Sequence, residues 1–149
     1  MYYIGYDLGS SFVKIALLDY KKNKQISLIK EPTSEMEIIS LKDDWAEQDP
    51  ELWWKYICNG TKRLLNKTKI NNDQIKAIGI SYQMHGLVIL DDKKKLLRNS
   101  IIWCDSRAVD IGNKAEKEIE IEILRNNLLN TPGNFTVSKL KWVMENEPD

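Results

Sequence analysis

The opening of this chain constrains its fold more than any other stretch. An apolar segment ends in Ile4-Gly5-Tyr6-Asp7-Leu8-Gly9-Ser10-Ser11, and a second, Phe12-Val13-Lys14-Ile15-Ala16-Leu17-Leu18, follows without a spacer. Two apolar runs joined by a turn of small residues read as a β-hairpin. A third strand-like segment lies beyond the solvated turn Lys21-Lys22-Asn23-Lys24. Residues 1–8, 12–19 and 25–32 are thus expected to form an antiparallel meander.

The first turn admits two chemistries. Backbone N–H groups of Gly9, Ser10 and Ser11 can form a concave donor nest for phosphate oxygens, with glycine allowing close approach and unusual dihedrals. Asp7 fits such a site only with a metal. A carboxylate about 4 Å from a phosphate oxygen, at an effective dielectric near 20, is repelled by roughly 4 kcal/mol, and a bridging Mg²⁺ reverses the sign. The other chemistry is a structural hairpin with an Asp beside its turn, which on these residues alone is the commoner case. A dinucleotide-binding turn fits less well, because Asp7 stands where the middle glycine of Gly-x-Gly-x-x-Gly belongs and a strand follows where a helix should open.

Further along, Asp49-Pro50-Glu51 is a helix start: a cap, a proline at the first position and an acid in the first turn. Trp53, Ile57, Gly60 and Leu64 then share one face, which should pack on the sheet. Gly60 costs roughly 1 kcal/mol against Ala in a helix interior, so a close backbone approach is expected there. Residues 75–82 read as a buried strand and 87–90 as another, with 91–95 the turn into Leu96-Leu97. A helix is expected after Asp105-Ser106-Arg107. The alternation Glu118-Ile119-Glu120-Ile121-Glu122-Ile123 also fits a strand, and helix is preferred. Thr131-Pro132-Gly133 is a turn, and residues 136–145 are a short helix with Val137, Leu140, Lys141 and Met144 on its packed side.

A length of 149 residues and an apolar fraction of 42% suit one domain with its own core. Twenty-two basic residues balance twenty-two acidic ones. No overall positive field draws the chain to nucleic acid or to an anionic membrane, which leaves small molecules or protein as partners. Cys58 and Cys104 form no Cys-x-x-Cys pair, and there is neither a signal segment nor a long apolar run. The expected location is the cytoplasm, where the Asn-x-Thr matches at Asn59, Asn66 and Asn134 are chance.

Two polar breaks remain. Gln83-Met84-His85-Gly86 interrupts two apolar runs and holds the only histidine. A lone histidine is more often a structural hydrogen-bonder, but polar groups and a flexible thioether together at a sheet margin suit a small polyol. Trp103-Cys104-Asp105-Ser106-Arg107 ends another apolar run with an acid and a base. Asp105 is either a helix cap or an acceptor for two hydroxyls.

These segments together resemble the FGGY carbohydrate kinases, most closely their xylulose kinase branch. The likeness rests on four islands in order: Gly5-Tyr6-Asp7-Leu8-Gly9-Ser10-Ser11 with Lys14; Trp45-Ala46-Glu47-Gln48-Asp49-Pro50 with Trp53-Trp54; Gln83-Met84-His85-Gly86; and Trp103-Cys104-Asp105-Ser106-Arg107. A fifth, Pro132-Gly133 through Phe135-Thr136 to Lys139-Leu140-Lys141-Trp142, extends it over nearly the whole chain. The departures are Ser10 for the commoner threonine, bulky Phe12 and Tyr82, Cys104 for an asparagine, and Asn134 within a Gly-Phe-Thr run.

The resemblance implies an α/β fold of the ribonuclease H-like, actin-like ATPase type, with a mixed sheet, an N-terminal meander and flanking helices. It implies transfer of the ATP γ-phosphoryl group to a sugar hydroxyl, in xylulose kinases the 5-hydroxyl of D-xylulose. Gluconate, ribulose or glycerol are the sister substrates, and a noncatalytic sugar-binding or regulatory module is the alternative. On this likeness Asp7 lies on the Mg²⁺ side, Gly9, Ser10 and Ser11 meet the transferring phosphoryl group, and Lys14 helps electrostatically. Met84, His85 and Gln83 contact the sugar, Asp105 lies near its hydroxyls, and Trp45, Trp53 and Trp54 pack. The family's general-base aspartate and its adenosine-binding domain correspond to nothing up to Asp149. Residues 1–149 are therefore expected to be the N-terminal part of a kinase whose remaining domain is its partner, inactive alone; a homodimer is left open.

Overall fold

The computed structural model describes residues 1–128 and 131–148. They form two compact units, Met1–Glu37 with Asp49–Gln83, and Ile38–Gln48 with Met84–Asp149. The chain passes between the units three times, after Glu37, Gln48 and Gln83, and each unit holds an apolar cluster.

In the first unit the meander is present as β1 (Tyr2–Leu8), β2 (Val13–Asp19) and β3 (Lys24–Glu31). A four-stranded sheet has the order β3-β2-β1-β5, where β5 (Ile75–Tyr82) lies parallel to β1 and the other pairs are antiparallel. Strand periodicity directs Val13, Ile15 and Leu17 inward and leaves Lys14 and Leu18 outward. The 21–24 turn is fixed by Asp19, whose Oδ1 accepts the N–H groups of Lys21 and Lys22.

Helix α1 (Pro50–Thr68) begins as expected: the Asp49 side chain accepts the Glu51 N–H at 2.9 Å and Pro50 opens the first turn. It buries Trp53, Gly60 and Leu64 and packs on β2 and β3. The close approach at Gly60 is real, since a Cβ there would overlap Ile15 Cδ1 and lie 3.1 Å from Glu31 Cγ. Strand β5 differs from expectation. Its position is as read, but it is an edge strand with Ile78, Ile80 and Tyr82 exposed. An unbroken apolar run reads as a strand covered on both faces, whereas α1 packs on β2 and β3 and leaves an open groove between itself and Ile78 and Ile80 of β5.

The second unit holds the short pair β4 (Glu47–Gln48) and β6 (Ser100–Ile101), then α2 (Val109–Glu118), α3 (Ile121–Asn127) and α4 (Thr136–Asn146). Residues 87–90 make only isolated bridges, Leu87 to Ile101 and Leu90 to Leu96, rather than the strand expected. The 91–95 turn is as read: Asp91 Oδ1 accepts the N–H groups of Lys93 and Lys95. The alternating Glu/Ile run is helical, but it breaks between α2 and α3, where Ile119 is extended. Gly112 of α2 meets the 3₁₀ turn Pro132–Asn134 so closely that a Cβ would overlap the Gly133 backbone.

Helix α4 buries a different face from the one its apolar spacing suggested. Ser138, Lys139 and Val143 are buried, while Val137, Leu140, Lys141 and Met144 face solvent. Polar attachments of Ser138 and Lys139 to neighbouring carbonyls set the helix rotation. Ser138 Oγ donates to Pro132 O at 2.7 Å and Lys139 Nζ to two further carbonyls.

Candidate functional site

In the first unit, β1 and β5 run parallel with Asp7 opposite Ser81 and Leu8 opposite Tyr82, and the Gln83 N–H donates to Leu8 O at 3.0 Å. The turn after β1 and residue Gln83 therefore leave the sheet at one end, the carboxyl ends of two parallel strands. Ligand sites of open α/β sheets gather at such ends.

At that end Asp7 and Lys14 are cross-strand partners. Lys14 Nζ lies 3.0 Å from Asp7 Oδ2, and both side chains are 49% exposed. Solvent-exposed pairs of this kind contribute about 0–1 kcal/mol, so either charge is readily redirected to a ligand. Among the described residues no three His, Cys, Asp or Glu side chains gather to hold a metal ion by themselves. A lone accessible carboxylate is nonetheless a usual protein contribution to Mg²⁺ carried largely by phosphates and water.

The turn itself corrects the donor-nest reading at one atom. The Gly9 N–H is committed internally to Phe12 O at 3.1 Å. Gly9 has no positive φ; what it supplies is room, because a Cβ would lie 3.2 Å from that same carbonyl. The Ser11 carbonyl accepts the Met36 N–H at 2.9 Å, which ties the turn to the segment after β3. Among the described residues both polar atoms of the Gln83 amide are buried without a hydrogen-bond partner. Native structures seldom leave such groups unsatisfied.

In the second unit His85 occupies the left-handed region, φ 61°, where a non-glycine residue is uncommon and often marks a functional turn. Its ring stacks on Phe135, with centroids 4.8 Å apart and planes 10° from parallel. Met84 is exposed. The two residues read as sugar-contacting are thus held differently, one fixed through ring and backbone and the other free to adapt.

Asp105 is more deeply engaged than the sequence suggested. Its side chain is 0% exposed and that of Arg107 1%. Asp105 Oδ2 accepts the Ala46 N–H at 2.6 Å and Arg107 Nη2 at 2.7 Å; Arg107 Nε reaches both oxygens at 3.0 Å, and Oδ1 also accepts the Arg107 N–H. A carboxylate offers about four acceptor positions, and these donors fill them. Nor does Asp105 cap the following helix, which begins at Val109 behind Ala108. Glu47 extends the network, pairing with Arg107 at 2.7 Å and with Arg98, which also pairs with Glu147. Above it, Trp45 and Trp142 meet edge to face at 5.2 Å, with the Arg107 guanidinium 3.8 Å from the Trp45 ring centre. Trp45 and Trp53 pack, as expected, while Trp54 is exposed.

Sequence reasoning missed Lys139. It is fully buried, and its Nζ donates to His85 O and Ile102 O at 2.9 Å each. Burial holds its ammonium below the usual lysine range, at about 8, and the nearby Asp105 carboxylate offsets part of that fall. The available signal was its place four residues before Val143, on the side opposite the exposed apolar positions. An open apolar groove of about 430 Å³, lined by Tyr6, Leu8, Trp54, Ile57, Ile78 and Ile80 among others, contains none of the expected site residues. No helix among the described residues is long and apolar enough to cross a membrane.

The N-terminal domain of the FGGY family of carbohydrate kinases matches residues 2–149. The xylulose kinase of Escherichia coli (strain K12) is 36% identical over 148 residues, covering 99% of this chain and 29% of that protein. The crystal structure of a xylulose kinase from Brucella ovis aligns with a TM-score of 0.86 at 32% identity, over 100% of this chain and 30% of its own. A gluconate kinase from Lactobacillus acidophilus aligns with a TM-score of 0.83 at 28% identity, over 99% of this chain and 29% of its own. This chain thus spans about 29% of the length of the curated relatives it matches. The mixed sheet with flanking helices is the actin-like ATPase fold expected from the sequence, in its N-terminal part. By the match along its length, the chain belongs to the FGGY family of carbohydrate kinases.

Proposed function

We propose that these residues form the sugar-side part of an ATP-dependent kinase that transfers the γ-phosphoryl group of ATP to the 5-hydroxyl of D-xylulose. The observation that carries this reading is the common end of β1 and β5, which brings the Asp7-to-Ser11 turn and Gln83 out of the sheet together, with Met84 and His85 next in the chain. Similarity along nearly all of this chain to proteins named xylulose kinases, at 36% and 34% identity, supports the sugar.

In this reading Asp7 contributes its exposed carboxylate to Mg²⁺. Ser10 and Ser11 approach the phosphoryl group, Gly9 gives the turn its room, and Lys14 balances the charge. Bound Mg²⁺ would neutralise charge developing on the phosphates. Met84, His85 and the Gln83 amide face the sugar, and Asp105 acts through the backbone it organises. The reaction is chiefly alignment and charge stabilisation. The group accepting the hydroxyl proton is assigned to a downstream aspartate of the remaining polypeptide, so residues 1–149 alone are expected to be inactive.

The test is a coupled assay of the full reading frame against D-xylulose, ribulose, gluconate and glycerol. ATP-dependent turnover highest on D-xylulose is expected. A preference for another sugar would move the substrate within the family, and no turnover on any would favour a noncatalytic module. Asp7→Ala should abolish metal-dependent turnover while sugar affinity stays near wild type. An equal loss of sugar affinity would mean that Asp7 has been misassigned.

A further inference from the structure

The start of α4 grips two backbone segments at once. Lys139 Nζ joins His85 O to Ile102 O, each at 2.9 Å. Thr136 Oγ1 donates to Gly86 O at 3.3 Å, Asn134 Nδ2 donates to Trp103 O, and the Phe135 ring lies flat against the His85 imidazole. One side of this grip is the left-handed turn at His85; the other is the stretch leading into Asp105.

A buried ammonium costs desolvation that an apolar side chain of similar volume avoids. What lysine offers is geometry. A single charged donor shared by two carbonyls fixes the separation of their backbones to within hydrogen-bond tolerance.

We propose that Lys139, together with Phe135, is a positioning residue for sugar recognition: it holds the His85 turn against the Ile102 backbone and orients the imidazole, without itself touching the sugar. This rests on the kinase reading above.

The experiment uses the full reading frame with D-xylulose and ATP. Lys139→Met should raise the KM for D-xylulose about tenfold while kcat and the KM for ATP stay within about twofold, the pattern of lost uniform binding. Phe135→Leu should raise the sugar KM about threefold by the same route, and Phe135→Tyr, which keeps the stacked ring, should restore it. Circular dichroism gives the folded fraction of each variant. If Lys139→Met does not fold, the Phe135 pair decides. Unchanged sugar KM in the folded variants, or a fall in kcat that merely tracks the folded fraction, overturns the proposal while leaving the kinase reading intact. A wild-type protein that phosphorylates no sugar overturns both.

Discussion

Two acid–base pairs look alike in the sequence and behave oppositely in the structure. Asp7 and Lys14 sit on neighbouring strands with half of each side chain in water, whereas Asp105 and Arg107 are sealed in the second unit. The exposed pair is weakly held, so its charges remain available to a ligand. In the buried pair every acceptor position of the carboxylate is engaged, and its charges are spent on architecture. Identity of residue types therefore says little about use; solvent access decides it.

The comparison is broken most directly by removing each carboxylate. Asp105→Ala leaves the Ala46 N–H without its acceptor and buried Arg107 with Glu47 as its remaining ionic partner, and should lower stability by about 3 kcal/mol. Asp7→Ala should cost under about 1 kcal/mol. Urea denaturation followed by tryptophan fluorescence measures both, and equal losses would abolish the distinction.

Next in size is a pair of glycine replacements, one in each unit. In Gly112→Ala the new methyl group meets the Gly133 backbone, and in Gly60→Ala it meets the end of the Ile15 side chain. Overpacking costs about 1–3 kcal/mol, against a helix-propensity gain of up to about 1 kcal/mol. Gly112→Ala should therefore be the more destabilising, because backbone yields less readily than a side-chain end. The reverse order in thermal melts would contradict the packing at the 3₁₀ turn.

Lys139 gives a smaller, pH-dependent effect. Its folded pKa, about 8, lies below the ordinary 10.5. Between these values the unfolded chain keeps a proton that the folded one has released, so stability rises with pH across this window and the burial penalty is fully present below it. The stability of wild type relative to Lys139→Met should accordingly increase from pH 8 to 10. A flat difference would mean that Asp105 and Cys104 offset burial and the neighbouring Arg107 charge more completely than the geometry indicates.

The smallest effect is expected from Lys14→Ala. It should change stability by under about 1 kcal/mol, and that change should shrink further in 1 M salt, where screening acts over about 3 Å. A large, salt-insensitive loss would show that the pair is not the loose one described.

What was legible in the sequence is what is encoded over a few residues. Apolar runs separated by small-residue and solvated turns gave the meander, Asp49-Pro50 the start of α1, Asp91 the tight turn, and Gly60 a close packing contact. The first three depend on residues within one element or turn, and Gly60 was legible because a glycine inside a helix sacrifices propensity and so marks a close approach. The family, too, was legible, because its motifs are short and ordered.

The remainder needed partners far apart in the chain. That the Asp105 carboxylate is saturated depends on Ala46; that the Gly9 N–H is occupied depends on how the hairpin closes on Phe12; that β5 is an exposed edge depends on where α1 lies. The face of α4 is the clearest case. Apolar spacing pointed to Val137, Leu140 and Met144, yet the helix turns Ser138 and Lys139 inward, where buried carbonyls require donors. By itself the sequence determined most of the elements that form and the family to which they belong. Tertiary structure alone decided which charges are buried and which are left to meet a ligand, because desolvation depends on what else surrounds a group and not on its neighbours in the chain.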